Sequence, residues 1–238
     1  MRANPNRSQR AELNYARSLR KVASQVGHLI GAFPPGDPSM VPTITQMLAK
    51  YAEALDGWAL RTASAMVAEV EARDYKAWMA AAAEMSTALR NEIRTAPTGE
   101  ATREILAEQV ALIKSIPLEA AKRVQELTLH GLEDSSRGSE IVAEIMRSGE
   151  VAISRANLIA RTETARTASA LTQARATHIG SEGYIWRTAG DSDVRHSHKE
   201  MNGKYVRWDD PPTLSDGTTT HAGQIYNCRC YPEPVLPE

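Results

Sequence analysis

The sequence predicts an α+β fold in which a mostly α-helical body of long antiparallel helices carries a small C-terminal β-rich module. Apolar residues recur with helical spacing up to about residue 180. The apolar content, 42% of 238 residues with one Phe, comes mainly from Ala, Leu, Ile and Val, which suits closely packed helices. By contrast, residues 182–234 form a turn-rich stretch that holds three of the six histidines and both cysteines.

The N-terminal elements follow from apolar stripes and breaker residues. A stripe over 13–30 predicts an amphipathic helix that ends at the Pro- and Gly-rich stretch 33–38. Long helical patterns over 42–73 and 74–95 predict an antiparallel hairpin, with Asp74 as N-cap of the second helix. Large apolar side chains are expected to pack between these helices. They are Trp58, Met66, Trp78, Met79 and Met85.

Further helices follow a break at 96–99. Pro117 is expected to open a helix at its first turn, where a backbone N–H is not needed. Ser135 or Ser136 is suited to cap a short helix, and the last helical pattern extends over 150–177. We therefore expect a helical N-terminal region at 1–100 and a second region at 101–238, with helices to about residue 180.

The β-rich module is expected at 181–234 and to contain a hairpin. Residues 184–187 have strand character, and Val194 begins another extended segment. Asn202-Gly203 predicts a tight turn before a strand at 204–208, and the segment 226–231 is expected to pair with the hairpin. The prolines that follow are expected to stop the ladder and leave a Pro-rich tail. They are Pro232, Pro234 and Pro237.

Histidine and cysteine pairs in this module suggest a metal site. On strands, His196 and His198 would share one face, as would Cys228 and Cys230. Imidazole and thiolate are the ligands zinc prefers, and His198, His221, Cys228 and Cys230 would close a four-ligand structural site, with His196 as a substitute. The alternative is that Cys-x-Cys is a pair of small apolar residues in a strand, since zinc signatures usually space cysteines more widely. A disulfide between same-face neighbours is not favoured.

The first 21 residues carry six cations against one anion, Glu12. Such a segment is suited to DNA phosphates or an acidic protein surface, and the alternative is a solvated helix face. No run of apolar residues reaches membrane length, and two cysteines make no disulfide framework, which fits a reducing cytosol. The cations are Arg2, Arg7, Arg10, Arg17, Arg20 and Lys21.

Two catalytic alternatives involve the same histidines and cysteines. In an HNH-like, metal-dependent nuclease, His198 would activate water while the metal holds phosphate. A Cys/His nucleophile pair would join Cys228 to His198 or His221. The sequence has no Gly-rich phosphate cradle and no paired acidic cluster beyond turn aspartates, so we expect no enzymatic activity.

Several short motifs stand in order along the second half of the chain. They are Ile159-Ala-Arg-Thr-Glu163, Trp186, Asp193-x-Arg195 with His198 three residues on, Gly203, and Asn227-Cys-Arg-Cys230. In this order they resemble the head-morphogenesis domain of the Mu F-like minor head proteins of tailed phages. The resemblance extends upstream to Leu112–Pro117 and covers about half of the chain, from near residue 105 to the end.

This resemblance implies a role in phage head morphogenesis. Mu F-like minor head proteins are present in low copy inside the head near the portal, and they take part in forming DNA-containing procapsids and in the passage of DNA. The implied partners are the portal protein, the major capsid or scaffold protein and packaged DNA, with no membrane, and assembly takes place in the host cytoplasm. Residues 1–100 lie outside the resemblance and are assigned to portal or inner-head contacts.

The matching positions are expected to hold the shape of the terminal region. They are Arg161, Glu163, Trp186, Asp193, Arg195, His198, Gly203, Asn227, Cys228, Arg229 and Cys230. Arg161 and Glu163 lie about 200° apart around a helix and cannot pair with each other. Glu163 can pair with Arg166, but a surface pair at this spacing contributes only about 0.2–0.5 kcal/mol. We therefore predict that Arg161 or Glu163 reaches across and docks the last helix onto the module through Asp191, Asp193 and Arg195.

Overall fold

The computed structural model describes residues 8–34, 38–84, 86–133 and 138–237. Helices dominate these residues, and a three-stranded antiparallel sheet lies near the C-terminus, which confirms the predicted α+β fold. Contacts divide the chain into two compact units. The first comprises Met1–Glu12, Ala65–Leu106 and Arg161–Glu238, and the second comprises Leu13–Ser64 and Ala107–Ala160.

The elements are mostly long helices followed by short strands. The helices are α1 (Gln9–Gly31), α2 (Val41–Ala54), α3 (Asp56–Ala81), α4 (Thr87–Thr95), α5 (Gly99–Glu133), α6 (Gly138–Met146), α7 (Ser148–His178) and α8 (His196–Lys199). The strands are β1 (Gly183–Arg187), β2 (Tyr205–Arg207) and β3 (Tyr231–Val235). Across the described residues, no helix is both long enough and apolar enough to cross a bilayer.

The predicted helical hairpin with Asp74 as N-cap is wrong. The pattern breaks at Leu55, between α2 and α3, and Asp74 lies inside α3. Asp74 is fully buried, and its carboxylate accepts hydrogen bonds from Thr172 Oγ1 at 2.8 Å and Arg175 Nε at 2.9 Å. Aspartate favours helix starts, but Asp74 lies in a helix interior, where it forms a buried ion pair with Arg175 of α7.

Pro117 does not open a helix, because α5 continues through it. A proline inside a helix removes one hydrogen bond and costs about 3 kcal/mol or more. The residues around it form a buried stripe at helical spacing, with Ile113, Ile116 and Val124 fully inaccessible. Each such side chain contributes about 1.5–3 kcal/mol on burial, so packing keeps the helix continuous.

The core of the first unit joins helices to the C-terminal module. Trp78 on α3 and Ile93 on α4 are buried in the same cluster as Tyr184 and Trp186 of β1. Met79 packs against this cluster. Trp78 and Met79 are therefore packing residues, as predicted, but they pack with side chains of the module and not between two helices of a hairpin.

The sheet has the order β2-β1-β3, and both pairings are antiparallel. β3 contains Pro232 opposite Trp186 and Pro234 opposite Tyr184, so the expectation that these prolines end the ladder is wrong. A proline is tolerated on an edge strand when its nitrogen faces away from the neighbouring strand. Residues two apart on a strand direct their backbone groups to the same side. Pro232 and Pro234 therefore leave one side of β3 without N–H groups at both positions.

The tight turn at Asn202-Gly203 is present, with Gly203 at φ 85°. The strand that follows it, β2, pairs with β1, whereas the segment after Val194 leads into α8 and is not a strand. Several predicted features lie outside the described residues. They are the central part of the 33–38 breaker, Met85, and the caps at Ser135 and Ser136.

Candidate metal centre

His198 is presented by the four-residue helix α8. Residues two apart on a helix point about 200° away from each other. His198 is accordingly 2% exposed, whereas the side chain of His196 is 87% exposed, with its Nδ1 3.4 Å from Glu200. The prediction that both histidines share one face of a strand is therefore wrong, and His198 is the inward-facing residue.

His198 meets both cysteines in the interior of the first unit. Its Nδ1 lies 3.4 Å from Cys230 Sγ and 3.5 Å from Cys228 Sγ. One ligand atom from each of the three residues lies within 4.8 Å of the others, and all three residues are buried. Cys228 and Cys230 are free thiols in the extended segment that leads into β3. The structure thus brings together three of the four predicted ligands.

The spacing of the ligand atoms fits a tetrahedral zinc ion. With Zn–N of about 2.0–2.1 Å and Zn–S of about 2.3 Å, a regular tetrahedron separates nitrogen from sulfur by about 3.6 Å. The two observed Nδ1–Sγ distances are 3.4 and 3.5 Å. His198, Cys228 and Cys230 could therefore hold zinc with little movement.

The two thiols have different proton affinities. The S–H of Cys230 and the imidazole of His198 stabilise a thiolate at Cys228, so the pKa of Cys228 lies well below its usual range. The neighbouring Cys228 and burial raise the pKa of Cys230. The thiolate is the form of cysteine that binds metal, and of the two thiols Cys228 is the one whose thiolate the surroundings favour.

His221 lies in a separate contact network. Its Nδ1 is 3.1 Å from the hydroxyl of Tyr184, which also accepts a hydrogen bond from Ala222 N. The ring of Tyr184 contacts those of His221 and Trp208, with centroid distances of 5.8 and 4.5 Å. Burial lowers the pKa of His221. The three-residue cluster of possible ligands within the described chain does not include it.

Ion pairs and turns hold the cysteine segment in place. Arg229 donates to both carboxylate oxygens of Asp191, at 2.6 and 2.7 Å, and also reaches Asp193 at 3.4 Å. Arg195, just before α8, donates to the carbonyl of Tyr226 at 2.8 Å. Both loops that carry ligands are therefore fastened to each other by arginines from the predicted structural motif.

Two further residues of the motif named from the sequence, Gly203 and Trp186, hold α8 and the His198 ring in position. Gly203 N donates to Trp186 O at 2.8 Å, which closes the turn after α8 onto β1. The indole of Trp186 is fully buried and lies nearly perpendicular to the His198 ring, with 5.5 Å between centroids. These contacts place α8 against β1 with His198 facing the cysteines.

The last long helix contacts the module mainly through small residues. Thr162 Oγ1 accepts a hydrogen bond from Asn227 N at 3.2 Å, where Asn227 adopts φ 56°. A Cβ on Gly223 would meet Ser169 Oγ at 2.3 Å, so only glycine allows this approach. Neither Thr162 nor Gly223 was singled out from the sequence, although the Ala- and Thr-rich composition of the helix indicates that a neighbour approaches closely.

The ion pairs found for Arg161 and Glu163 include the Glu163–Arg166 pair that the sequence allows. Arg161 Nε lies 3.7 Å from Glu12, and Glu163 accepts from Arg166 at 3.2 Å. Asp191 and Asp193 pair instead with Arg229. Arg229 is close to both aspartates because the fold brings the cysteine segment beside them, and proximity along the sequence does not reveal this.

The structure describes four of the six N-terminal cations and shows for each a partner or an exposed position. Arg10 pairs with Glu69 at 3.1 Å, and Arg17 donates to Asn14 at 3.2 Å. Arg20 donates to Asn157 at 2.9 Å. Exposed positions of α1 within the second unit include Arg17, Arg20 and Lys21. Arg2 and Arg7 lie outside the described residues.

Burial argues against both catalytic alternatives. His198 is 2% exposed and Cys228 is 3% exposed. A base that activates water for phosphodiester cleavage, or a thiolate that attacks a macromolecular substrate, must be reached by that substrate. The arrangement is suited to binding an ion between two segments of the chain.

Comparison with known proteins confirms the resemblance predicted from the motifs. Residues 122–232 match the family described as Phage Mu protein F like protein. An "Uncharacterized protein" of Haemophilus influenzae is 33% identical over 163 residues, which is 65% of this chain and 36% of that protein. The match thus covers little more than a third of the relative. No solved structure matches the chain.

Proposed function

We propose that this protein acts in phage head morphogenesis as a minor head protein associated with the portal. The observation that carries the proposal is the match of residues 122–232 to the Mu F-like proteins. The matched range contains Arg161 and Glu163 on α7, the cysteine segment and the start of β3. All the matching positions named from the sequence, from Arg161 to Cys230, therefore fall inside it.

The geometry of the matched region favours an assembly role over turnover of a substrate. Its chemically reactive groups, His198, Cys228 and Cys230, are buried. The loops that hold them are fixed by the Arg229–Asp191 pair and by the hydrogen bond from Arg195 to Tyr226. A rigid module of this kind suits a surface that must keep its shape within a larger particle.

The expected partners are the portal protein and the major capsid or scaffold protein, inside the head and near the portal. Packaged DNA is a further candidate. On α1, Arg17 and Lys21 are exposed, and Arg20 is held by Asn157. This face offers three positive charges to phosphates or to an acidic protein surface.

Co-expression with the portal and major capsid proteins of the same phage tests the proposal. We expect the protein to be retained in purified particles at low copy and to sediment with isolated portal oligomers. The control is the same preparation with the portal protein omitted, in which retention should fall. A protein absent from particles that are otherwise complete would overturn the assignment.

Binding to DNA has a separate test. Replacing Arg17 and Lys21 together by Gln should weaken binding to duplex DNA and reduce the slope of its salt dependence by about 0.9 for each phosphate that is no longer neutralised. Lys122→Gln, which removes an exposed cation paired with Glu126, is the control. If both variants bind as the wild type does, α1 does not bind DNA, while the portal assignment is unaffected.

A further inference from the structure

The cluster of His198, Cys228 and Cys230 brings one imidazole nitrogen and two thiols together in the buried interior. Both thiols lie within 3.5 Å of the same atom, His198 Nδ1. One ligand atom from each of the three residues lies within 4.8 Å of the others. Imidazole nitrogen and thiolate sulfur are the ligands that zinc prefers.

A small cleft between α7 and the cysteine segment is lined by both cysteine residues. Its walls include Cys228, Cys230, Thr164 and Ala168, and its cavity volume is about 20 Å³. A cavity of roughly 10–15 Å³ by this measure is enough to hold one water molecule. The cleft adjoins the ion pair of Arg161 and Glu12. Solvent therefore has space beside the cysteine segment, in a cleft whose lining does not include His221.

We propose that His198, Cys228 and Cys230 bind one zinc ion, through His198 Nδ1 and both thiolates, and that an exchangeable solvent ligand from this cleft completes the coordination. Three protein ligands of these types with one open position are a known arrangement for zinc. One ion would be bound by all three groups at once. It also ties α8 to the segment before β3, and the Cys230 proton is released as the ion binds.

Metal analysis of the full-length protein, produced without a histidine tag, tests the ligand set. We expect one zinc per chain in the wild type and in His221→Gln, and almost none in Cys228→Ser or His198→Gln. His221→Gln is the matched control because it removes a nearby histidine that contacts Tyr184. A wild-type protein that takes up no zinc after reconstitution overturns the proposal, as does loss of zinc in His221→Gln.

A second measurement does not depend on the variants folding. Modification of the two thiols of the wild-type protein with a mercurial should release one zinc per chain to a chromogenic chelator. Zinc that is present but stays bound after both cysteines have reacted would exclude them as ligands.

The open position is tested with cobalt in place of zinc. Addition of thiocyanate, a small anion, should change the visible spectrum of the cobalt protein in a saturable manner, because the anion replaces solvent at the metal. A spectrum that saturating thiocyanate does not change would show a closed coordination sphere and overturn the open fourth position.

Discussion

Two buried polar clusters in the first unit differ in how completely their groups are satisfied. Around Asp74, the carboxylate is paired with Arg175 and Thr172, and Arg175 also donates to the carbonyl of Ile93. Around His198, two thiols share one nitrogen and the other ring nitrogen lacks a partner within the described chain. The first cluster is paired through protein atoms alone, whereas the second has the composition and spacing of a site that would bind an ion.

The largest expected effect concerns the Asp74 cluster. Arg175→Ala leaves the Asp74 carboxylate, which is 0% exposed, without its cation. Removing one partner of a buried ion pair costs about 3–5 kcal/mol, and urea unfolding of the variant should show a loss of that size. Lys122→Ala, which removes an exposed i,i+4 pair, should cost about 0.3–0.5 kcal/mol. Equal effects of the two variants would show that the Asp74 cluster does not act as a buried pair.

The next largest effect is expected from zinc binding at the His198 cluster. An ion that binds only the folded state at 100 times its Kd stabilises it by about 2.7 kcal/mol. Zinc should therefore raise the free energy of unfolding of the wild type by this order, and a chelator should reverse the gain. In Cys228→Ser the addition of zinc should have no effect. If neither zinc nor a chelator changes the unfolding of the wild type, the His198 cluster does not bind an ion and does not differ from the Asp74 cluster in this respect.

The smallest effect concerns His221, which lies near the cluster but is satisfied by Tyr184. Burial lowers its pKa, so the native state binds fewer protons than the unfolded state just below the ordinary histidine value of about 6.5. Stability should therefore increase as pH rises through this window and be lost as pH falls. His221→Gln should flatten the dependence of unfolding on pH just below the ordinary histidine value of about 6.5. The control is His196→Gln, at an exposed side chain, and a slope unchanged in His221→Gln would contradict the prediction.

Much of the helical part was predictable because its signals are local. The stripe over 13–30 gives α1, and Gly180, at φ 84°, follows the last long helix as expected. Asp74 and Pro117 were misplaced because each has a local preference that burial overrides. The partners of Asp74 lie about 100 residues away along the chain, and no local pattern indicates them.

In the candidate site, the residue types were predictable but their geometry was not. The sequence indicated His198, Cys228 and Cys230 as ligands, and the structure places them together. It also grouped His196 and His221 with them. Two residues spaced like His196 and His198 share a face on a strand but lie about 200° apart on a helix. Which of the two histidines faces the interior therefore depends on the formation of α8 and on its packing against the rest of the fold.

The two prolines of β3 have a consequence for neighbouring copies of the chain. An exposed strand edge is a template to which a strand of another molecule can add. Pro232 and Pro234 pair with β1 on one side of β3 and lack the N–H groups that the other side would need at those positions. This edge of the sheet therefore resists the addition of a strand from another copy of the chain.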